Sequence, residues 1–342
     1  MTAVRPAGVS LPVPASVRLL SVVGRRLGAV GISGASAEQV VASRRRPPPP
    51  ALGRVADRVL GRPDPRVRRS SARTPSGVAL VVHTPPAPVG TVLPVVVHVH
   101  GGGWVLGGVE DTPWWVAALA LAVPAVVVSV DYRLAPEHPY PAAVHDCLEA
   151  VRWVAAHPEH VGAQARVRTD RLGLVGDSAG ANLVAVTTAR LRDEPRPGDP
   201  AVAHQALVYP AVDATLSSPS VTTNADAPIL TRADMERFLQ LYTEGTGVEV
   251  RDPWLSPLHA ADLAGLPPTT VLTAEHDPLR DDGTRFAAAL RAAGVPVRLS
   301  DYPGAVHGFL TLAGLDRVRS RHAVAELAAA LRADLPAAAP PR

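Results

Sequence analysis

Short apolar runs alternate with longer amphipathic segments along most of the chain. Four runs rich in Val, Leu and Thr, at residues 95–100, 171–175, 270–274 and 297–302, have the composition of strands. After the second run, the apolar residues repeat at helical spacing from about residue 181, which predicts a helix. Strands that alternate with helices in this way predict an α/β fold, with a mostly parallel central sheet flanked by helices.

Two of these runs end in turns that suggest chemistry. The first leads into His100–Trp104 (HGGGW), and the second into Gly176–Gly180 (GDSAG), which fits G-x-S-x-G. A lone G-x-S-x-G is weak evidence, but here a predicted strand precedes it and a predicted helix follows it, as the motif requires. The glycine run is typical of a loop whose backbone N–H groups face a developing oxyanion. Together the two turns predict ester hydrolysis with Ser178 as the nucleophile.

A serine nucleophile needs a histidine base within hydrogen-bond reach and a carboxylate that orients the imidazole. In folds with this serine turn, the acid and then the base follow the serine along the chain. Asp277 follows the predicted strand at 270–274, and His307 follows the one at 297–302. Because such sheets place ligands at the carboxyl ends of their strands, we predict that Asp277 and His307 complete a triad with Ser178.

Other residues compete for these two roles. His276 adjoins the predicted acid and is the main alternative base. His204 opens a predicted strand and comes too soon after the nucleophile helix, and His259 lies at a predicted helix entry. Asp213 follows another predicted strand and is the main alternative acid. We favour His307 because it follows the last predicted strand.

At this point the chain resembles the hormone-sensitive-lipase-like branch of the α/β-hydrolases, which includes many bacterial esterases. The resemblance extends over about residues 93–331. It rests on five motifs in matching order: His100–Trp104, Asp131–Glu137 (DYRLAPE), Gly176–Gly180, Asp277–Arg280 (DPLR) and His307–Phe309 (HGF). It implies an α/β-hydrolase fold with a helical lid, and it gives Ser178, Asp277 and His307 the roles of nucleophile, acid and base.

The resemblance also implies how the rest of the site is built. The N–H groups of Gly102, Gly103 and Ala179 would form the oxyanion hole, without a metal or an organic cofactor. Trp104 would pack beside the site or line the acyl pocket. The charged residues of Asp131–Glu137 would form a buried polar network that braces the glycine loop.

These features indicate a serine carboxylesterase that hydrolyses short- to medium-chain acyl esters through an acyl-enzyme. The same groups would serve an amidase, a lactonase or a deacetylase of a secondary metabolite, and the sequence does not separate these reactions. A non-catalytic relative that binds a small molecule in the pocket is an alternative from another class. Such receptors tend to lose part of the triad, whereas all three residues are present here.

Composition narrows the choice of partners. Of the 342 residues 47% are hydrophobic, which suits one large α/β domain, and no apolar run is long enough to predict a membrane span. All 34 basic residues are arginine and the net charge is +3, without a groove-reading motif, so we expect no nucleic-acid partner. Cys147 is the only cysteine and is expected to pack as a small apolar residue in a helix. We expect a cytoplasmic protein with a small ester substrate, and the resemblance leaves a homodimer open.

Three regions are expected along the chain. Residues 1–60 would form an N-terminal helical lid segment with a linker, residues 61–335 the catalytic domain, and residues 336–342 a disordered tail. A lid insertion is expected at about residues 211–250. There Thr231 predicts the N-cap of a helix whose apolar residues share one face, namely Met235, Phe238, Leu239 and Tyr242.

The N-terminal region allows a second interpretation. Arg25-Arg26 and the mildly apolar residues after them resemble a twin-arginine export signal. Against this, Ser36–Gln39 (SAEQ) fits a capping box that opens a helix. We therefore favour the lid segment, with Pro47–Pro50 as a stiff connection to the catalytic domain.

Overall fold

A computed structural model describes residues 10–26, 31–45, 58–162 and 165–335. The strands in these ranges are β1 (Arg68–Arg73), β2 (Ala79–Thr84), β3 (Val92–Val99), β4 (Val126–Asp131), β5 (Arg166–Asp177), β6 (Ala201–Val208), β7 (Thr269–His276) and β8 (Val297–Val306). They form one sheet in the order β1-β2-β4-β3-β5-β6-β7-β8. β2 runs antiparallel to both of its neighbours and the other adjacent pairs are parallel, so the expected mostly parallel sheet is confirmed.

Helices cover both faces of this sheet. The helices in the described ranges include α1 (Ala15–Arg26), α2 (Ala37–Arg45), α3 (Pro113–Ala122), α4 (Ala142–Ala156), α5 (Pro158–Val161), α6 (Ala179–Asp193), α7 (Pro219–Thr223), α8 (Arg232–Thr243), α9 (Arg280–Ala292) and α10 (Arg317–Asp334). A short 3₁₀ turn lies at Pro257–His259. No helix in the described ranges combines the length and the apolar character needed to cross a lipid bilayer.

The β-branched runs lie at the centre of the sheet. In β3, Val95 and Val97 pack in the core under α4, α6 and α9, whereas Val96 packs with α3 and α10 on the opposite face. Alternate residues of a strand point to opposite faces, so a strand covered on both sides is apolar at most of its positions. Cys147 of α4 is fully buried in the same core, as predicted. This burial fixes the strand ends that carry the site.

The ends of the strands differ from the predictions. β3 stops at Val99, β7 continues to His276, and β8 continues to Val306, past the predicted end at residue 302. His204 lies in the middle of β6 rather than at its start. The extensions of β7 and β8 come from backbone pairing between the two strands, where His276 is opposite Val306, and the apolar pattern does not reveal this pairing.

Both predicted helix starts are confirmed. At the start of α2, Ser36 Oγ accepts from the Gln39 N–H at 3.2 Å, and Gln39 Oε1 accepts from the Ser36 N–H at 2.8 Å. Thr231 and Asp234 form the same reciprocal pair at the start of α8. The predicted linker at Pro47–Pro50 and the predicted tail at 336–342 lie outside the described residues.

The expected buried network of Asp131, Arg133 and Glu137 is wrong. Arg133 pairs with Asp146 of α4 at 2.6 Å and about half of its side chain is exposed, while Glu137 pairs with Arg44 of α2. Asp131 and Glu137 are themselves exposed. After β4 the chain buries Tyr132 and Ala135, while Arg133 and Glu137 extend to two different helices, so the charged residues do not reach each other.

Candidate active site

The serine turn lies at the carboxyl end of the sheet. β5 ends at Asp177, α6 begins at Ala179, and Ser178 between them has a φ of 55° and a ψ of −122°. A positive φ strains a residue other than glycine by about 1–3 kcal/mol, so neighbouring contacts must hold it. One such contact is a 2.8 Å hydrogen bond from the Ser178 N–H to the Val208 carbonyl of β6. The predicted strand–turn–helix geometry is confirmed, and Ser178 lines a cavity.

Ser178, His307 and Asp277 form a continuous hydrogen-bonded chain. His307 Nε2 lies 2.9 Å from Ser178 Oγ, and His307 Nδ1 lies 2.8 Å from Asp277 Oδ2. Asp277 directly follows β7 and His307 directly follows β8. Because these two strands are adjacent and parallel, both side chains lie at the same edge of the sheet. An ionised carboxylate only accepts, so Nδ1 carries the hydrogen and Nε2 is free to accept the serine proton.

The Asp277 carboxylate is fully buried and has its own supports. Its Oδ1 accepts from the Leu279 N–H at 2.8 Å. The Asn224 amide donates to the backbone carbonyls of Asp277 at 3.0 Å and Glu275 at 3.2 Å. Sequence reasoning missed Asn224, since it comes from the insertion between β6 and β7 and no motif marks it. These bonds fix the direction of the carboxylate toward His307.

Gly102 and Gly103 adopt backbone conformations that a side chain would block. Their φ angles are +118° and +61°. A Cβ on Gly102 would lie 2.0 Å from the Leu106 carbonyl oxygen, and one on Gly103 would lie 2.3 Å from the Phe238 ring. Among the described residues, the N–H groups of Gly102, Gly103 and Ala179 donate to no other group. All three residues line the cavity beside Ser178, so these N–H groups are available to a bound oxygen.

The glycine loop is tied to the serine turn by a buried carboxylate. Asp177 Oδ1 accepts from the Gly101 N–H at 3.1 Å. The His100 Nδ1–H donates to the Gly101 carbonyl at 2.8 Å, and the Tyr132 hydroxyl donates to the His100 carbonyl at 2.9 Å. Burial lowers the pKa of His100 to about 4, so its imidazole is neutral near pH 7. His100 therefore braces the loop rather than titrating with the site.

The cavity in front of Ser178 has a volume of about 300 Å³. Most of its wall is apolar, and the insertion between β6 and β7 contributes Leu216, Ile229, Leu230, Met235, Phe238, Leu239 and Leu255. Trp104 lines it too, and its ring stacks on Tyr242 of α8 with centroids 4.8 Å apart and planes 1° apart. Trp104 thus both packs beside the site and forms part of its wall.

Residues 31–45 and helix α8, which we call the covering layer, are joined by side chain–backbone hydrogen bonds. Asp234 Oδ1 accepts from the N–H groups of Ile32 at 2.8 Å and Ser33 at 3.1 Å. The Arg237 Nε–H donates to the Ala35 carbonyl at 3.0 Å. Burial raises the pKa of Asp234, but its hydrogen bonds outweigh burial and bring that pKa below the ordinary value. Gly31, Ile32 and α8 residues line the cavity together.

A second polar cluster underlies the insertion. Asp213 is buried and accepts from Thr215, Ser217 and Arg285, and His259 Nε2 lies 2.9 Å from its Oδ1. Burial opposes its ionisation, but these hydrogen bonds hold its pKa well below the usual range. Asp213 therefore contacts His259 and Arg285 rather than His307, and the structure does not support it as the alternative acid.

The competing histidines also lie in other contacts. The His276 Nε2–H donates to the Leu11 carbonyl at 2.6 Å, outside the triad. His204 lies between Asp334 at 2.8 Å and Thr270 at 3.0 Å. Neither imidazole contacts Ser178, so of the candidate bases the structure brings only His307 to the nucleophile.

The chain is similar in sequence and in structure to proteins that are named esterases. The alpha/beta hydrolase fold family matches residues 96–311. Carboxylesterase NlhH from Mycobacterium tuberculosis is 48% identical over 225 residues, which cover 65% of this chain and 68% of that protein. Esterase LipI from the same organism is 40% identical over 250 residues, covering 70% of this chain and 76% of that protein. A thermostable esterase from Pseudomonas putida superposes with a TM-score of 0.82 at 30% identity, covering 96% of this chain and 99% of that one.

Proposed function

The chain belongs to the alpha/beta hydrolase fold family, and from that premise we propose that it is a serine carboxylesterase acting on small esters. The observation that carries the proposal is the unbroken chain from Ser178 Oγ through His307 to Asp277, which opens into an apolar cavity. Relatives that are named carboxylesterase and esterase support the same reaction class.

In the first half of the reaction, His307 Nε2 takes the Ser178 proton as Oγ attacks the ester carbonyl carbon. The carbonyl oxygen becomes an oxyanion, and the buried Asp277 stabilises the imidazolium that forms. His307 then gives its proton to the departing alcohol oxygen as the C–O bond breaks. Ser178 is left carrying the acyl group.

In the second half, water replaces the alcohol. His307 Nε2 takes a proton from water, whose oxygen attacks the acyl carbon, and the collapse of the intermediate returns that proton to Ser178 Oγ. The acid leaves and the free enzyme is restored. Each proton moves between His307 and an oxygen atom beside it, so the reaction needs no other acid or base.

We assign the oxyanion hole to the N–H groups of Gly102, Gly103 and Ala179. Their hydrogens are unused among the described residues, and the 2.0 Å and 2.3 Å clashes that a Cβ would make explain why glycine stands at the first two positions. Each donor of this kind contributes about 10²–10³-fold to the rate, because it stabilises charge that exists only in the transition state.

The substrate assignment follows from the cavity wall. A volume of about 300 Å³ with a mostly apolar lining suits a short or medium acyl chain and leaves little polar recognition for an amide or a sugar. We propose that the covering layer acts as the lid that sets acyl length. It reaches the site from two parts of the sequence, residues 31–45 and helix α8, which lies in the insertion expected at about 211–250.

Hydrolysis of p-nitrophenyl esters of increasing acyl length tests this proposal. We expect the protein to turn over the short esters, and Ser178→Ala to lower kcat by about 10⁴-fold or more. Ser76→Ala, which changes an exposed serine in the turn between β1 and β2, is the matched control and should stay within about twofold of the unchanged protein. A folded protein as inactive as its Ser178→Ala variant across the whole series would overturn the esterase assignment and favour a narrower substrate or a binding function.

A further inference from the structure

A row of four buried polar side chains crosses the sheet behind the glycine loop. It consists of His83 on β2, Ser129 on β4, His98 on β3 and Asp177 at the end of β5. His83 Nε2 lies 3.3 Å from Ser129 Oγ, Ser129 Oγ lies 2.9 Å from His98 Nδ1, and His98 Nε2 lies 3.9 Å from Asp177 Oδ1. No residue of the row is more than 4% exposed. The triad mechanism uses none of these groups.

The strand register explains why the row is continuous. His98 is paired with Ser129 on one side and with Val175, two residues before Asp177, on the other. Alternate residues of a strand share a face, so His98, Ser129 and Asp177 all point to the same side of the sheet. There the His98 ring meets Trp115 of α3 edge to face, with centroids 4.6 Å apart. The packing fixes the direction of the imidazole.

Hydrogen-bond chemistry gives the row a direction. The 3.9 Å between His98 Nε2 and Asp177 Oδ1 is longer than a hydrogen bond, and His98 Nε2 has no hydrogen-bond partner among the described residues. A carboxylate charge at this distance repels a nitrogen lone pair and attracts an N–H group, so it favours the tautomer with the hydrogen on Nε2. His98 Nδ1 then accepts from the Ser129 hydroxyl, and Ser129 Oγ accepts from the His83 Nε2–H. Burial, together with Arg69 and His98, lowers the pKa of His83 to about 3, so His83 is neutral near pH 7. Each hydrogen in the row therefore points toward Asp177.

Asp177 links this row to the oxyanion loop, since the same Oδ1 atom accepts from the Gly101 N–H. Building on the proposed esterase activity, we propose that His98 is a positioning residue, held by Ser129 and His83, whose Nε2–H orients the Asp177 carboxylate by electrostatic attraction across 3.9 Å. That carboxylate in turn sets the position of Gly101, and with it the N–H groups of Gly102 and Gly103. The benefit appears in the transition state, where oxyanion donors act, rather than in substrate binding.

The test replaces His98 with three residues that keep different parts of the imidazole. Gln can place its amide nitrogen near the Nε2 position, Asn can reach only the Nδ1 position, and Phe keeps the ring against Trp115 without either nitrogen. We expect His98→Phe and His98→Asn to lower kcat on p-nitrophenyl acetate by about 10-fold with KM within about twofold. His98→Gln should recover to within about threefold of the unchanged protein.

Two further comparisons exclude a purely structural role. Trp115→Phe disturbs the packing of His98 without removing its N–H, and should leave kcat within about threefold. In an Asp177→Asn background, His98→Phe should have no further effect on kcat, because the carboxylate it acts through is gone. The proposal is wrong if His98→Phe keeps full kcat, if Gln is no better than Phe, or if Trp115→Phe costs as much as His98→Phe.

Hydrogen exchange separates this proposal from the esterase assignment. The Gly101 amide is held by Asp177, so its peptide should exchange about 10-fold faster in His98→Phe than in the unchanged protein, and at the unchanged rate in His98→Gln. This readout needs no substrate. An inactive wild-type protein with this exchange pattern would overturn the proposed reaction and keep the positioning role, whereas equal exchange in all variants would overturn the positioning role.

Discussion

Two regions of the molecule meet at the cavity, and they are held in place differently. Ser178, Asp277 and His307 follow directly on β5, β7 and β8, so the backbone pairing of the sheet determines where they lie. The covering layer is instead joined by side-chain contacts between distant parts of the chain, such as the hydrogen bond from the Ile32 N–H to Asp234, 202 residues apart, and the packing of Ile32 and Tyr242 in the core. The position of the first region follows from strand pairing, whereas that of the second follows from side chains that meet only in the folded chain.

This difference separates chemistry from selectivity. Changes at the strand ends should lower kcat for every ester, because they remove groups that act in the transition state. Changes in the covering layer should alter which acyl chain is preferred and leave the chemistry on the smallest ester nearly intact.

Asp277→Asn should lower kcat by about 10³–10⁴-fold with little loss of folding stability. The amide keeps the shape of the carboxylate but can hold His307 in the wrong tautomer and cannot stabilise the imidazolium. Steady-state kinetics on p-nitrophenyl acetate, with thermal unfolding of the same sample, measures both quantities.

Asp213→Asn is the matched control. It removes the charge of another buried carboxylate near this edge, which pairs with His259 and the partly exposed Arg285, so it should destabilise the fold by about 1–3 kcal/mol. The kcat of the remaining folded protein should stay within about threefold of the unchanged value. If Asp213→Asn lost activity as fully as Asp277→Asn, the assignment of the acid would be wrong.

The stability of the fold should depend on pH through Asp282 of α9, which binds the start of the insertion between β6 and β7. Burial, with the nearby Asp213 charge, raises the pKa of this carboxyl to about 7. The folded state therefore binds a proton that the unfolded chain releases above about pH 4. That contribution to stability is complete below about pH 4 and is lost as the pH rises through 7, at up to about 1.4 kcal/mol per pH unit.

Asp282→Asn isolates this effect, since an amide oxygen can still accept from the Val212 and Asp213 N–H groups, which donate to Asp282 Oδ2, and the amide carries no charge at any pH. Urea unfolding of both proteins at pH 5 and pH 8 measures the difference in their free energies of unfolding. The unchanged protein should lose about 2–3 kcal/mol relative to the variant between these values. An equal difference at both pH values would show that Asp282 does not titrate in this range.

Phe238→Ala should shift acyl preference by about 10-fold. The Phe238 ring lies against Gly103 on the cavity wall, so its removal makes room for a longer chain beside the oxyanion loop. The ratio of kcat/KM for p-nitrophenyl octanoate to that for the acetate should rise, with the acetate kcat nearly unchanged. Leu241→Ala, on the same helix and fully buried away from the cavity wall, tests whether loss of packing alone has this effect.

Arg237→Met should produce the smallest change. It removes the hydrogen bond to the Ala35 carbonyl and leaves the capping pair of α8 intact. Loss of this hydrogen bond between α8 and residues 31–45 should raise KM for the longer esters by about threefold and leave the acetate kcat unchanged. Glu236→Gln changes an exposed neighbour that pairs along the helix with Arg232, and should leave both values as they were. A fall in kcat for every ester would contradict the separation of the two regions.

The sequence predicts the first region far better than the second. Motifs and strand ends are local features, so Ser178, Asp277 and His307 could be placed at one edge before any contact was known. Asn224 and the Asp234 contacts join residues far apart in the chain, which no local pattern reveals. The expected network among the charged residues of Asp131–Glu137 is wrong, because a motif gives residue types but not the elements that their side chains contact.

The most direct test of the account is stoichiometric phosphorylation by diethyl p-nitrophenyl phosphate, which a serine activated by His307 attacks with release of p-nitrophenolate. The account predicts one equivalent of p-nitrophenolate per chain, a diethylphosphoryl adduct on Ser178 found by peptide mass spectrometry, and neither in Ser178→Ala. Absence of the adduct from Ser178 in the folded protein, or an adduct on another residue that persists in Ser178→Ala, would contradict it.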